Sequence, residues 1–245
     1  MDPTQRFSSR VEDYVRYRPT YPGGVTDLLS RECGWHAASR IADIGSGTGL
    51  LAGLFLDFGC EVFGVEPNPE MRQAGERLMA HRPRFHSVDG RAEATTLPDR
   101  SADFVTAAQA FHWFEPQRTR AEFDRILQPG GWVVLVWNER LTVPGFMAAY
   151  EDVVARYGPE RPHVATHELA AFFGHSAWRL EKLPNRQEFD LEGLCGRFLS
   201  SSYAPLPGTP SNERLMEELR LLFEEHRANG RVTLLYETEI YFGRL

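Results

Sequence analysis

Apolar positions along this chain follow two rhythms that alternate from about residue 40 onward. Short apolar runs at Ile41-Ala42-Asp43-Ile44, Val62-Phe63-Gly64-Val65, Arg84 to Val88, Ala102 to Ala107 and Trp132 to Trp137 read as strands. The last of these is apolar without interruption, as expected of a strand buried on both faces, and Pro129-Gly130-Gly131 predicts a turn before it. Between them the period changes to that of a helix. Leu50, Leu51, Leu54, Phe55 and Phe58 form one stripe, which Gly59 ends. Asn68 and Pro69 make a cap and first turn ahead of Met71, Ala74, Leu78 and Met79, and Pro116 opens a helix carrying Phe123, Ile126 and Leu127. Strands alternating with helices predict an α/β fold. Its sheet is parallel, is covered on both faces, and takes ligands at the carboxyl ends of its strands.

Past Asn138 the rhythm breaks. Helices are predicted over Phe146 to Tyr157, Thr166 to Phe173 and Leu191 to Leu199, and around Leu215, Leu219 and Leu222. Strand patterns occupy Trp178 to Phe189 and the alternating run Val232 to Phe242, while Tyr203 to Pro210 is too rich in proline for regular structure. We read one domain, 1–245, with its core at 40–138 and last strands at 178–189 and 231–243. Residues 139–177 and 190–230 are then insertions forming a cap over a substrate. Residues 1–39 supply two helices, the first capped by Ser8 or Ser9 and stopped by Pro19, the second from about Gly24 to Cys33. The first helix reads as a lid over a ligand mouth, with Tyr14, Tyr17 and Arg18 as its contacts. Arg18 suits a carboxylate.

Composition narrows the function classes. At 245 residues and a net charge of −7, the chain carries one large α/β domain and no general field for nucleic acid or an anionic membrane. Cys33, Cys60 and Cys195 lie far apart without CxxC spacing, as reduced core thiols would in a cytoplasmic protein. No leader is evident and no apolar run approaches the ~20 residues of a membrane span. His163 and His167 are spaced i,i+4 but lack a third ligand, so no metal is expected.

The chemistry concentrates at Asp43-Ile44-Gly45-Ser46-Gly47-Thr48-Gly49-Leu50. A strand, a glycine turn and a helix bring backbone amides close to a ligand at the helix start. Glu66, 21 positions beyond Gly45, ends the second strand, where a carboxylate can accept from both hydroxyls of a ribose. A dinucleotide fingerprint would place glycine at the sixth position, which here is Leu50. Asp43, two residues ahead of the first glycine, would repel a pyrophosphate and receive an ammonium.

Asp-x-Gly-x-Gly-x-Gly with a later Glu resembles motif I and the acidic loop of class I S-adenosylmethionine (AdoMet) methyltransferases. The chain as a whole resembles the type 11 methyltransferase domain family, including members similar to trans-aconitate methyltransferases. The resemblance is strongest over 40–138 and extends to Tyr17-Arg18-Pro19-Thr20-Tyr21-Pro22 and Ala108-Gln109-Ala110-Phe111-His112-Trp113-Phe114. It implies a Rossmann-like methyltransferase fold: a mostly parallel seven-stranded sheet, an antiparallel last strand and a helical cap. It also implies AdoMet as cofactor. By the same resemblance Gly45, Ser46, Gly47 and Gly49 line the methionine part, Asp43 lies near its amine, and Glu66 takes the ribose. Pro67 and Asn68 flank the adenine, and Tyr14 and Arg18 close over the cofactor. Where many relatives read adenine with an Asp-Ala pair, this chain has Arg91-Ala92. Arginine has no acceptor, so that contact falls to Asp89 or to a backbone group such as the Ala92 amide, or is lost.

The implied reaction is methyl transfer to a small molecule, at oxygen of a carboxylate or hydroxyl. Gln109 lies under the transferring methyl and His112 is placed to take a proton where one must leave. Tyr17, Trp113, Asn138, Arg140 and Tyr203 face the substrate, with Arg18 and Arg140 as a clamp for a carboxylate. A monomer or homodimer is expected. An AdoMet-binding sensor or scaffold without turnover, and a nicotinamide enzyme, stay open as rivals.

Overall fold

The computed structural model describes residues 11–158, 166–174, 177–201 and 203–245. Ser8, Ser9 and His163 lie outside the described residues. Seven strands form one sheet: β1 (Arg40–Ile44), β2 (Glu61–Val65), β3 (Phe85–Val88), β4 (Ala102–Ala108), β5 (Leu127–Arg140), β6 (Trp178–Phe189) and β7 (Val232–Gly243). Their order is β3-β2-β1-β4-β5-β7-β6. Pairing is parallel from β3 through to β5, and β7 runs antiparallel to both β5 and β6. The order reverses between β1 and β4, and the carboxyl ends of those two strands therefore frame a crevice.

The helices are α1 (Val11–Tyr17), α2 (Gly24–Cys33), α3 (Leu50–Phe58), α4 (Pro69–Met79), α5 (Pro116–Ile126), α6 (Phe146–Tyr157), α7 (Thr166–Phe173), α8 (Leu191–Leu199) and α9 (Pro210–His226). One face of the sheet is covered by a core containing Val25, Trp35, Leu51 and Phe55, the other by Phe111, Phe123, Ile126 and Phe172. A third core joins α6, α8 and α9 to Val232, Leu234 and Tyr236 on β7. Local signals end several helices as expected: Gly59 caps α3 at φ 101°, and Asn68 accepts from the Met71 amide at the start of α4. Thr209 does the same for α9, so Pro210 is the first helical residue and the proline-rich loop ends one residue earlier than its composition suggests.

Two expectations change. Pro129-Gly130-Gly131 is not a turn outside the strand, because β5 already starts at Leu127. Leu127 pairs with Ala102 but Trp132 with Phe104, so residues 128–131 bulge out of the ladder, with Gly130 at φ 78°. The segment 139–177 divides between two cores. α6 belongs to the third core, whereas Leu169, Phe172 and Phe173 of α7 pack with Phe111 and Phe123 beneath the sheet.

Long-range contacts tie the N-terminal segment down. Tyr17 is buried, and its ring would meet a Cβ on Gly196 at 2.1 Å, so α1 can lie on α8 only because that residue is glycine. Its hydroxyl donates to Glu192 at 3.3 Å and Arg16 pairs with the same carboxylate at 3.1 Å. Further on, the Thr20 carbonyl accepts from Asn138 at 3.2 Å and from Asn185 at 2.8 Å. Gly196→Ala is expected to cost about 1–3 kcal/mol by overpacking and to expose α1. Thermal melts with limited proteolysis check this, the new cleavage falling ahead of residue 24.

Candidate active site

Three strand ends build the crevice. β1 ends in Asp43 and Ile44 and enters the loop Gly45 to Gly49, whose three glycines hold φ of 68°, 58° and 85°. Only glycine adopts these values without strain. Gly45 is confined twice over, since a Cβ there would stand 2.7 Å from Ala110 on the loop after β4. The Gly45 and Ser46 amides donate to the Val65 carbonyl at 2.8 and 3.2 Å, which fastens the loop to the end of β2.

Glu66 follows that strand and is buried. Its Oε2 accepts from the Gly47 amide at 2.9 Å and its Oε1 from the Asn68 amide at 2.8 Å. Each oxygen keeps a second lone-pair site for a ligand hydroxyl. Burial raises the Glu66 carboxyl, opposed by those two amides and by Arg72. Arg72 donates to the Glu66 carbonyl at 2.8 Å and pairs with exposed Asp89 at 3.0 Å. Pro67 is half-buried beside it, while the Asn68 side chain serves the α4 cap.

Asp43 is buried at 1% exposure. Oδ1 accepts from Thr106 of β4 at 2.8 Å, and Oδ2 is buried with no hydrogen-bond partner among the described residues. Burial pushes this carboxyl up to about 7, with the Thr106 bond pulling the other way and the Glu66 charge adding to the rise. An orphaned carboxylate oxygen at the mouth of a glycine loop is a receptor for a cation. An ammonium near Asp43, a carboxylate-free glycine wall and a diol at Glu66 match the amine, the methionine chain and the ribose of AdoMet. Thr106 was missed in the sequence, though a threonine within an apolar strand, in register with Asp43, was the signal for it.

The wall after β4 is strained. Gln109 takes φ 55°, a left-handed conformation that costs a non-glycine residue about 1–3 kcal/mol. Its amide donates to the Val136 carbonyl at 2.9 Å and its side chain reaches the Asn138 carbonyl at 3.4 Å. His112 lies in the 3-10 turn Phe111–Trp113, its ring 4.7 Å from that of half-exposed Trp113. Burial drops the imidazole to about 4, and Nδ1 is buried with no partner among the described residues. The ring is therefore neutral at physiological pH.

Other expected contacts are placed differently. Arg91 is exposed and exchanges backbone bonds with Ala94, whereas Ala92 is buried. Tyr17 faces Gly196 in the packing of α1 on α8 and is a core residue. Asn138 accepts from Thr238 at 2.6 Å and from Asn185 at 3.1 Å while donating to Thr20, so its amide is used in joining the sheet to the N-terminal segment. Arg140 is paired with Glu151 at 2.6 Å, and its guanidinium lies 5.7 Å from the centre of the Tyr150 ring. Tyr14 lies under the Arg18 guanidinium at 5.0 Å, and Arg18 donates to the Ser200 carbonyl at 2.8 Å. Burial raises the Tyr203 phenol, but Arg140, Arg197 and Arg18 outweigh it and hold the group below its ordinary value. Among the described residues no His, Cys, Asp and Glu group is placed to hold a metal, and no helix is long and apolar enough to cross a membrane.

Three predictions come from this geometry. Glu66→Ala is expected to weaken AdoMet binding tenfold or more by calorimetry, and Gly45→Ala to abolish it. Asp43 titrates near 7 in the folded chain against ~3.9 unfolded. Its contribution to stability is thus complete below about pH 3.9 and lost as pH rises through 7. Unliganded Asp43→Asn should melt above the wild type at pH 8, with the difference shrinking toward pH 5.

Comparison with known proteins identifies relatives of this chain. The model of a methyltransferase domain family matches residues 42–135. An uncharacterized methyltransferase of Mycobacterium tuberculosis is 38% identical over 168 residues, 68% of this chain and 66% of its own length. An uncharacterized methyltransferase-like protein of Schizosaccharomyces pombe is 34% identical over 71% of this chain and 68% of its own. The alignment thus spans about two thirds of each relative. In fold, the chain is similar to a putative type II methyltransferase from Anaeromyxobacter dehalogenans, at TM-score 0.73 and 24% identity over 93% of this chain and 98% of that one. It is also similar to geranyl diphosphate C-methyltransferase from Streptomyces coelicolor in complex with S-adenosylhomocysteine, at TM-score 0.51 and 14% identity over 91% and 76%. A glycine cradle with an orphaned carboxylate, a Rossmann-like sheet closed by an antiparallel strand, and these relatives lead to one conclusion: the chain belongs to the AdoMet-dependent methyltransferase family.

Proposed function

We propose that this methyltransferase acts on a small molecule and methylates a carboxylate oxygen, with a hydroxyl as the second choice. When bound, AdoMet supplies an electrophilic methyl on a sulfonium, so the protein's tasks are alignment and exclusion of water. Asp43 holds the amine, Glu66 the ribose, and the Gln109 to Trp113 turn walls the side from which an acceptor approaches.

His112 is the observation that carries the choice of atom. A base that takes a proton from a hydroxyl works best with a pKa near the operating pH. The His112 imidazole, lowered to about 4 by burial, is far from that range. A carboxylate arrives already ionised and has no proton to give. His112 then serves as a neutral acceptor and as part of the wall with Trp113. The net charge of −7 favours a small acceptor over a nucleic acid.

The reading is tested by incubating the chain with AdoMet and matched sets of carboxylic acids and alcohols, with S-adenosylhomocysteine and alkali-labile methyl esters as readouts. Ester formation at saturating AdoMet, with a loss of no more than about tenfold in His112→Gln, is the expected outcome. Alkali-stable methyl ethers, with a hundredfold loss in that variant, would establish hydroxyl methylation with His112 as base. No turnover with any acceptor, despite tight AdoMet binding, would leave a sensor or scaffold.

A further inference from the structure

Arg197 of α8 is 2% exposed, yet no carboxylate among the described residues pairs with it. Its Nε donates to the Tyr236 hydroxyl at 3.1 Å and its Nη1 reaches Ser200 Oγ at 3.5 Å. Arg18, just past α1, approaches the same serine and donates from Nη2 to its carbonyl at 2.8 Å. The Arg18 Nε is buried with no partner among the described residues. Two guanidinium groups thus converge on Ser200, bonded only to neutral groups. Arg140, by contrast, has Glu151.

Two like charges held largely out of water without an anion between them are costly. Burial lowers the proton affinity of Arg18, and the facing Arg197 lowers it further. Tyr14 supplies the link to the cofactor cradle. α1 packs on α8 and also touches α4, the helix that starts behind Glu66. Burial raises the Tyr14 phenol, which feels Arg18 and Arg197 as well as Glu66 and Asp43. Arg18 is thus tied to α1 through the Tyr14 ring at 5.0 Å, and the helix itself reaches α4.

We propose that Arg18 and Arg197 form an anchor for a carboxylate of the methyl acceptor, distinct from the oxygen that is methylated. The planar fork of each guanidinium matches a carboxylate, and two forks in one buried place supply more donors than Ser200 and Tyr236 can use. The anchor rests on the methyltransferase reading and adds a requirement to it: the acceptor bears a second negative group. Arg197 is thereby a specificity-determining residue. AdoMet also has a carboxylate, and the test separates the two sources.

The full chain saturated with S-adenosylhomocysteine is titrated with succinate, and in parallel with inorganic phosphate, by calorimetry and thermal shift. Wild type, Arg197→Gln, Arg197→Lys and Arg18→Gln are compared. Succinate is expected to bind the wild type and raise its melting temperature, and to bind Arg197→Gln and Arg18→Gln at least tenfold more weakly. Arg197→Lys should fall between, with S-adenosylhomocysteine affinity within twofold of the wild type in both Arg197 variants. Unliganded Arg197→Gln should melt no lower than the wild type, since one of two facing charges is gone; a purely structural arginine would give a clear drop. The anchor is overturned if succinate fails to bind the wild type, if phosphate binds in its place, or if Arg197→Gln binds succinate as well as the wild type does. A tenfold loss of S-adenosylhomocysteine affinity in Arg197→Gln would also overturn it, by assigning the arginines to the cofactor's own carboxylate. Failure of S-adenosylhomocysteine to bind the wild type, read before any acid is added, would instead remove the methyltransferase reading underneath.

Discussion

The Glu66 carboxylate holds both walls of the crevice. One oxygen takes the Gly47 amide from the loop after β1, the other the Asn68 amide at the head of α4. Two segments far apart in sequence are thereby set at a fixed separation by charge-assisted bonds in a buried place, where such bonds are about twice as strong as neutral ones. The Gly45 and Ser46 amides on the Val65 carbonyl reinforce the same junction. The cradle is therefore preorganised, and a ligand arriving there meets donors and acceptors already aimed.

Asp43 shows the opposite economy. Its second oxygen is left without a partner, and burial moves its proton equilibrium into the physiological range. Unpaired buried groups destabilise a fold, and their presence at the end of β1, beside a loop built from left-handed glycines, marks where stability is given up for binding. Gln109 and the Arg18–Arg197 pair fall in the same class. These strained or unmatched features come from the ends of β1 and β4 and from the α1–α8 contact.

The parts of this arrangement legible in the sequence are those governed by neighbours along the chain. Strand, glycine loop, helix and acid follow from local patterning, and Asn68-Pro69 announces its helix through a cap that spans three residues. The parts that were hidden depend on residues brought together from afar. Tyr17 looked like a lid contact, but its place is decided by Gly196. Asn138 looked like a substrate contact at a strand end, but Thr20, Asn185 and Thr238 claim its amide. Arg140 looked like half of a clamp until α6 placed Glu151 against it. Arg197 went unnoticed because it is one arginine among 26, although it lies on a helix whose other inward residues, Leu194 and Phe198, are apolar. A polar residue on an apolar helix face is the signal that was available.

The position of β7 has its own consequence for how the molecule comes into being. β6 pairs with β7 and with no other strand among the described residues, and β7 lies beyond α8 and α9 in the chain. While β7 is unmade, β6 presents two bare edges and β5 one, and the cap helices lack the Val232, Leu234 and Tyr236 surface on which they rest. Such edges invite pairing with other chains. Arrival of that one strand joins β6 to the sheet and seats α6, α8 and α9 in the same event.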